Sequence, residues 1–120
     1  MTTPLGRLII YSKKLPEMAE FYCRHFGFQS KQREGDRIVE LQSQSAGSSI
    51  LPHPASKGQK EGQSLVKLVF DVEDVTAFCQ KAEANGLRFG PVHNADGYSF
   101  ANTKDPSNNS VSVSSRAFST

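Results

Sequence analysis

The stretch Arg7-Leu8-Ile9-Ile10-Tyr11-Ser12-Lys13-Lys14-Leu15 has a counterpart in Lys67-Leu68-Val69-Phe70-Asp71-Val72-Glu73-Asp74-Val75. The second begins half a chain after the first, in a sequence of 120 residues. Each opens on a cation, continues as an apolar run and turns charged just before its last residue. Each is followed by a helix-like stretch that ends on a glycine and an apolar residue, Gly27-Phe28 and Gly86-Leu87, with the closing spacing one residue shorter. A strand–helix–strand unit used twice predicts two equivalent half-sheets, with any shared pocket between them.

Working outward, Leu8 to Tyr11 is short, apolar and rich in β-formers, so it reads as strand. Pro16 suits the first turn of a helix, where its missing N–H has no intrahelical partner. Met18, Phe21, Tyr22 and Phe26 recur at helical spacing, and Gly27 is a natural stop. Phe28 to Arg33, Ile38 to Gln42 and Ser48 to Leu51 read as strands. Glu34-Gly35-Asp36 and Gln44 to Gly47 are the turns between them, and Pro52 and Pro54 are expected to end the last strand. Residues 54–64 hold no large apolar side chain and read as a mobile linker. The pattern then repeats. Leu65 to Val72 is strand, Glu73-Asp74 places acid at a helix start, and Val75, Phe78, Cys79 and Ala82 share a helical face. Leu87 to Val92, Tyr98 to Asn102 and Val111 to Ser115 follow as strands, with turns at Asp96-Gly97 and Pro106 to Asn109. The order is βαβββ, twice. The expected fold is α+β, a cupped mixed sheet with helices on its outer face. Residues 1–120 form a single domain, with repeat one about 5–53, the linker about 54–64 and repeat two about 65–116.

Composition narrows the function. The net charge is +2 and the 14 Lys and Arg are scattered, so no basic stripe for nucleic acid exists. No apolar run approaches the ~20 residues of a membrane helix. Met1 to Gly6 lacks the basic start and apolar core of a signal peptide. The two cysteines, Cys23 and Cys79, form no disulfide framework or zinc cluster. The expectation is a cytoplasmic protein with both thiols reduced, and no nucleic-acid or membrane partner.

The element order, together with Phe21-Tyr22-x-x-x-Phe26-Gly27-Phe28 and Asp105-Pro106-x-x-Asn109, resembles the vicinal-oxygen-chelate superfamily. That superfamily holds glyoxalase I, extradiol dioxygenases, fosfomycin-resistance enzymes and bleomycin-resistance proteins. Val69 to Val75 is similar to its second-repeat opening. The resemblance spans essentially the whole chain and is specific for fold rather than activity. It implies a homodimer, and a divalent metal held in the cup by His, Glu or Gln at four strand positions. Those positions correspond here to Arg7, Lys67, a residue near Leu51, and Ser112. Two cations without a free lone pair, an aliphatic side chain and a hydroxyl do not make a metal site. The expectation is therefore no metal and no cofactor.

Strand alternation assigns the faces. If the resemblance holds, Arg7, Ile9, Tyr11, Lys67, Val69 and Asp71 face the cup, while Leu8, Ile10, Leu68, Phe70 and Val72 pack on helices. Ser110, Ser112 and Ser114 would line the cup, with Val111 and Val113 against a helix. His53 shares the face of Leu51, and Tyr98 and Phe100 come from the seventh strand. The candidate ligand-binding residues are therefore Arg7, Tyr11, His53, Lys67, Tyr98, Phe100 and Ser112. Arg7 and Lys67 either receive an anion as fork and point charge, or pair with carboxylates such as Asp71 or Glu40, or run their stems to water. Either His53 or His93, each ending a strand, is a rim acid–base group or an ordinary loop residue. A metal set of His53, His93 and Asp96 has no support in spacing. His25 reads as an exposed helix-end residue that the dipole favours in its charged form. Cys23 and Cys79 read as small buried residues rather than activated thiols. The aromatics Tyr98, Phe100, Tyr11 and Phe70 are either core or a stacking platform. There is no phosphate-cradling loop and no Gly-x-Ser-x-Gly elbow.

Three functions remain open from the sequence. One is a protein that binds a small anionic or neutral molecule without turnover. Another is a lyase or isomerase resembling glyoxalase I, with a relocated metal or with acid–base work by His53 or His93. The third is an interaction domain with a vestigial cup. The sequence favours the first.

Overall fold

The computed structural model describes residues 1–35 and 38–119. The chain forms two compact units, one running from Met1 to Glu61, the other opening at Gly62.

The first unit has strand β1 Arg7–Ser12, helix α1 Leu15–Phe26, and strands β2 Gln29–Gln32, β3 Val39–Gln42 and β4 Ser49–Pro54. Its sheet runs β1-β4-β3-β2, with β1 and β4 parallel and the other pairs antiparallel. Pro16 stands in the first turn of α1, as its fixed φ and missing donor favour. The Ser12 hydroxyl accepts the Lys14 N–H at 2.8 Å just ahead of it. The helix stops at Gly27, whose φ of 75° is left-handed, a conformation that costs glycine little. Met18, Phe21 and Tyr22 are buried on α1 and Leu41 and Ile50 on the sheet, so the helical and alternating patterns meet in one core. Each such side chain contributes about 1.5–3 kcal/mol by leaving water. An aromatic cluster extends it, with Phe21 and Tyr22 centroids 4.9 Å apart and Tyr22 edge-on to Phe28 at 6.1 Å.

One expectation fails here. Pro52 and Pro54 do not end β4, which continues through both. The reason lies in the ladder. The Ser49 N–H donates to Gly6 and the Ala55 N–H to Ser12, so odd-numbered amides of β4 face β1. The proline nitrogens therefore face the β3 side, where pairing is recorded only at Leu41 with Ile50. No ladder bond is lost. Of the predicted Glu34-Gly35-Asp36 turn, Glu34 and Gly35 are in a turn, and Asp36 lies outside the described residues.

Between β4 and the second unit, residues 55–61 carry contacts of their own. The Lys13 N–H donates to the Glu61 carboxylate, and the Ser56 N–H to Gln59 Oε1 at 2.6 Å.

The second unit has β5 Lys67–Asp71, α2 Val75–Ala84, β6 His93–Asn94, β7 Ser99–Lys104 and β8 Ser110–Ser114, then a 3₁₀ turn at Arg116–Phe118. Its sheet runs β5-β8-β7-β6, with β5 and β8 parallel. Asp74 caps α2 by accepting the Ala77 N–H at 3.0 Å, supplying one of the partners a helix start lacks. Val75, Ala82, Leu87, Ala101, Val111 and Val113 form the core. The Asp105 carboxylate is buried and organises the turn before β8. It accepts the backbone N–H groups of Ser107 and Asn109, both at 2.9 Å, and the Asn109 side-chain amide at 3.0 Å.

Two boundaries differ from expectation. Residues 87–92 are not a strand, and only His93 and Asn94 pair with β7. Pro91 has no N–H for a ladder, and the segment is held instead by single bonds, Gly90 N–H to Asn102 O at 2.8 Å and Thr103 Oγ1 to Arg88 O at 3.0 Å. Leu65 and Val66 are exposed and irregular, because the partner strand β8 begins at Ser110 opposite Lys67.

Candidate functional site

In the first unit, the sheet face away from the buried residues of α1 is open. Register places Arg7 beside Ser49, Ile9 beside Leu51 and Tyr11 beside His53. Lys31 lies opposite Glu40 on the neighbouring hairpin. Ile9 and Tyr11, on the edge strand β1, are each 51% exposed. A pocket of about 380 Å³ opens at the Arg7 end, lined by Arg7, Lys31, Arg33, Glu40, Ile38 and Leu51 among others. Among the described residues the lining holds three cations and one carboxylate, a positive set.

Arg7 Nε donates to Glu40 Oε1 at 3.1 Å. Pairing with Glu40 is thus the alternative that holds for Arg7. It occupies one nitrogen only. Among the described residues Glu40 is the guanidinium's sole partner, and the Arg7 side chain remains 64% exposed. Both terminal nitrogens are left to face the pocket or water.

At the other end of this face Tyr11 meets His53 edge-on, with ring centroids 6.0 Å apart. His53 Nε2 is buried and has no hydrogen-bond partner among the described residues. His25 Nδ1 shares that state. His25 is half-buried against Phe21, 5.4 Å between centroids, rather than exposed as the sequence predicts. Burial, and secondarily the nearby Arg24 charge, push its pKa below the usual histidine value against the opposing pull of Glu20.

On the corresponding face of the second unit Val69 is likewise exposed, at 55%, but several polar side chains are bonded to neighbours. Lys67 donates to Asn102 Oδ1 at 3.1 Å rather than to a carboxylate. Lys104 donates to Ser110 Oγ at 2.9 Å. Ser112, expected to offer a hydroxyl, is buried and donates to Ala101 O at 3.0 Å across the β7–β8 pair. Phe100 packs 5.1 Å from His93 and 6.4 Å from Tyr98. The Arg116 guanidinium lies 5.2 Å over the Tyr98 ring and donates to its hydroxyl at 3.2 Å.

Of the candidate residues, then, Arg7, Tyr11 and His53 share one face of the first unit. Lys67, Tyr98, Phe100 and Ser112 belong to the second. Sequence reasoning missed Lys31, Arg33 and Ile38. The register that sets Lys31 opposite Glu40 could not be read from the turn residues alone.

The positions that the resemblance assigns to metal ligands, Arg7, Lys67, a residue near Leu51 and Ser112, offer a donor set that does not fit a divalent ion. Among the described residues no three His, Cys, Asp or Glu side chains lie close enough together to hold a metal ion. Partial burial raises the pKa of both Cys23 and Cys79, which favours the protonated thiols.

The profile of the Glyoxalase/Bleomycin resistance protein/Dioxygenase superfamily matches residues 5–113, and the chain belongs to that superfamily. Among solved structures it is similar to TnmS3, an antibiotic binding protein from Streptomyces sp. CB03234, with a TM-score of 0.76, 16% identity, and 93% and 94% of the two chains covered. It is similar to lactoylglutathione lyase from Agrobacterium tumefaciens, with a TM-score of 0.73, 16% identity, and 98% and 97% covered. An integron cassette protein from V. cholerae gives a TM-score of 0.73 at 20% identity, with 95% of each chain covered. At these identities the likeness is one of fold. Compared with curated protein sequences, the chain has no match.

Proposed function

We propose that this protein binds a small anionic or neutral molecule, and does so without a metal at the four superfamily positions. The pocket beside Arg7 carries the reading. It places three cations and the apolar Ile38 and Leu51 around a cavity of about 380 Å³, within the size range of small-molecule sites. One neighbour in fold is an antibiotic binding protein, and binding rather than turnover is what these residues support. Exposed Val66 and Val69 also support pairing of two copies as a homodimer. Two free cysteines suit a reducing, cytoplasmic setting.

The test is a thermal melt of chelator-treated protein with a panel of small carboxylates, phosphates and neutral amides. The proposal expects at least one to raise Tm, by an amount that added Zn²⁺ or Mg²⁺ does not change. Stabilisation or turnover that appears only with a stoichiometric divalent ion contradicts it. That result favours an enzyme with a relocated metal.

A further inference from the structure

The open face of the first unit changes character along its length. At one end stand Arg7, Lys31 and Arg33. Ile9 and Leu51, paired in register, fill the middle. At the far end Tyr11 stands against His53. Arg7 and Tyr11 are four residues apart on one strand, about 13 Å at the usual rise. A charged end, an apolar middle and an aromatic end in a row form a template for a ligand with the complementary order.

The head group can be narrowed. Glu40 holds Arg7 through Nε, which fixes the guanidinium plane and leaves its two terminal nitrogens as a fork. A fork of parallel N–H donors matches a carboxylate in two-point contact. Glu40 also lies in the lining.

Building on the binding function proposed above, we infer that the ligand is an amphipathic monocarboxylate lying along β1 and β4. Its acid group docks on Arg7, its apolar body covers Ile9 and Leu51, and an aromatic end packs on Tyr11. Lys31 and Arg33 supply the positive surroundings that draw the anion in.

Calorimetric titration of the full chain with 6-phenylhexanoate, its primary amide and hexanoate tests this. The acid should bind at least tenfold more tightly than the amide. Arg7→Met should remove that preference, and Arg7→Lys, which keeps charge but loses the fork, should fall between. Tyr11→Ala should weaken 6-phenylhexanoate several-fold and leave hexanoate within twofold. Lys81→Met, on the exposed side of α2, should change nothing. Equal binding of acid and amide to the unmodified protein, or full tolerance of Arg7→Met, overturns the inference while leaving a small-molecule pocket in place. Failure of all three compounds overturns it outright. If β1 and β4 amide resonances then shift with protein concentration alone, a second copy of the chain occupies the face and the binding proposal falls too.

Discussion

The two sheets descend from one sequence pattern, yet their corresponding faces are spent differently. Arg7 and Lys67 open equivalent strands. Arg7 reaches Glu40 with one nitrogen and keeps two toward a pocket. Lys67 is taken up by Asn102 on its own sheet. Ser112 is bonded to its neighbour's backbone, and Tyr98 is covered by Arg116. Among the described residues, the two buried side-chain nitrogens without a partner, on His25 and His53, both fall in the first unit. Repetition conserves the strand order and the helix positions. It does not conserve function, because a face becomes a site only where its polar groups are left unsatisfied by the fold. In the second unit Lys67, Ser112 and Tyr98 each have a partner within the unit.

The comparison can be broken most forcefully at Asp105. Its buried carboxylate ties the turn that launches β8, so Asp105→Ala should cost about 2–3 kcal/mol, read as a lower midpoint in urea. A loss below about 0.5 kcal/mol would show that the second unit does not depend on its internal polar bonding. His53→Phe probes the other side. It removes an unpaired buried nitrogen and keeps an aromatic ring beside Tyr11. Stability should hold or rise by up to about 1 kcal/mol, and a clear fall would mean the imidazole has a partner in solution.

His25 sharpens the contrast through pH. Its folded pKa is lowered by burial, so the neutral form is the one the fold favours. The stability this gives is present above the ordinary histidine pKa of about 6.5 and is lost as pH falls through the lower folded value. His25→Gln should therefore gain on the unmodified protein between pH 7.5 and 5 in chemical melts. Parallel curves across that range would show that protonation of His25 is not linked to folding. The smallest effect belongs to Lys67→Met, which removes one exposed hydrogen bond and should leave stability within about 0.5 kcal/mol.

Much of this was legible in the chain. The βαβββ order followed from apolar runs, Pro16, Gly27 and the Asp74 cap, all of which act locally. The alternation that groups Arg7, Ile9 and Tyr11 is a property of any strand, and so was readable. The continuation of β4 through Pro52 and Pro54 was not, because it depends on which neighbour the proline nitrogens face. The division of labour between the two faces was also hidden. Whether Lys67 finds Asn102, or Ser112 finds Ala101, depends on the β7–β8 register, which residue types do not specify. The pocket residues Lys31 and Arg33 lie across a hairpin whose register had to be known before they could be joined to Arg7.

The most direct test maps binding onto the two sheets. Amide ¹H–¹⁵N spectra of the full chain would be followed during titration with 6-phenylhexanoate. The account predicts saturable shifts at Arg7 to Tyr11, Lys31 to Arg33 and Ser49 to His53, with β5, β7 and β8 unmoved. Shifts centred on Lys67, Phe100 and Ser112 instead would contradict it and make the second unit the binding surface.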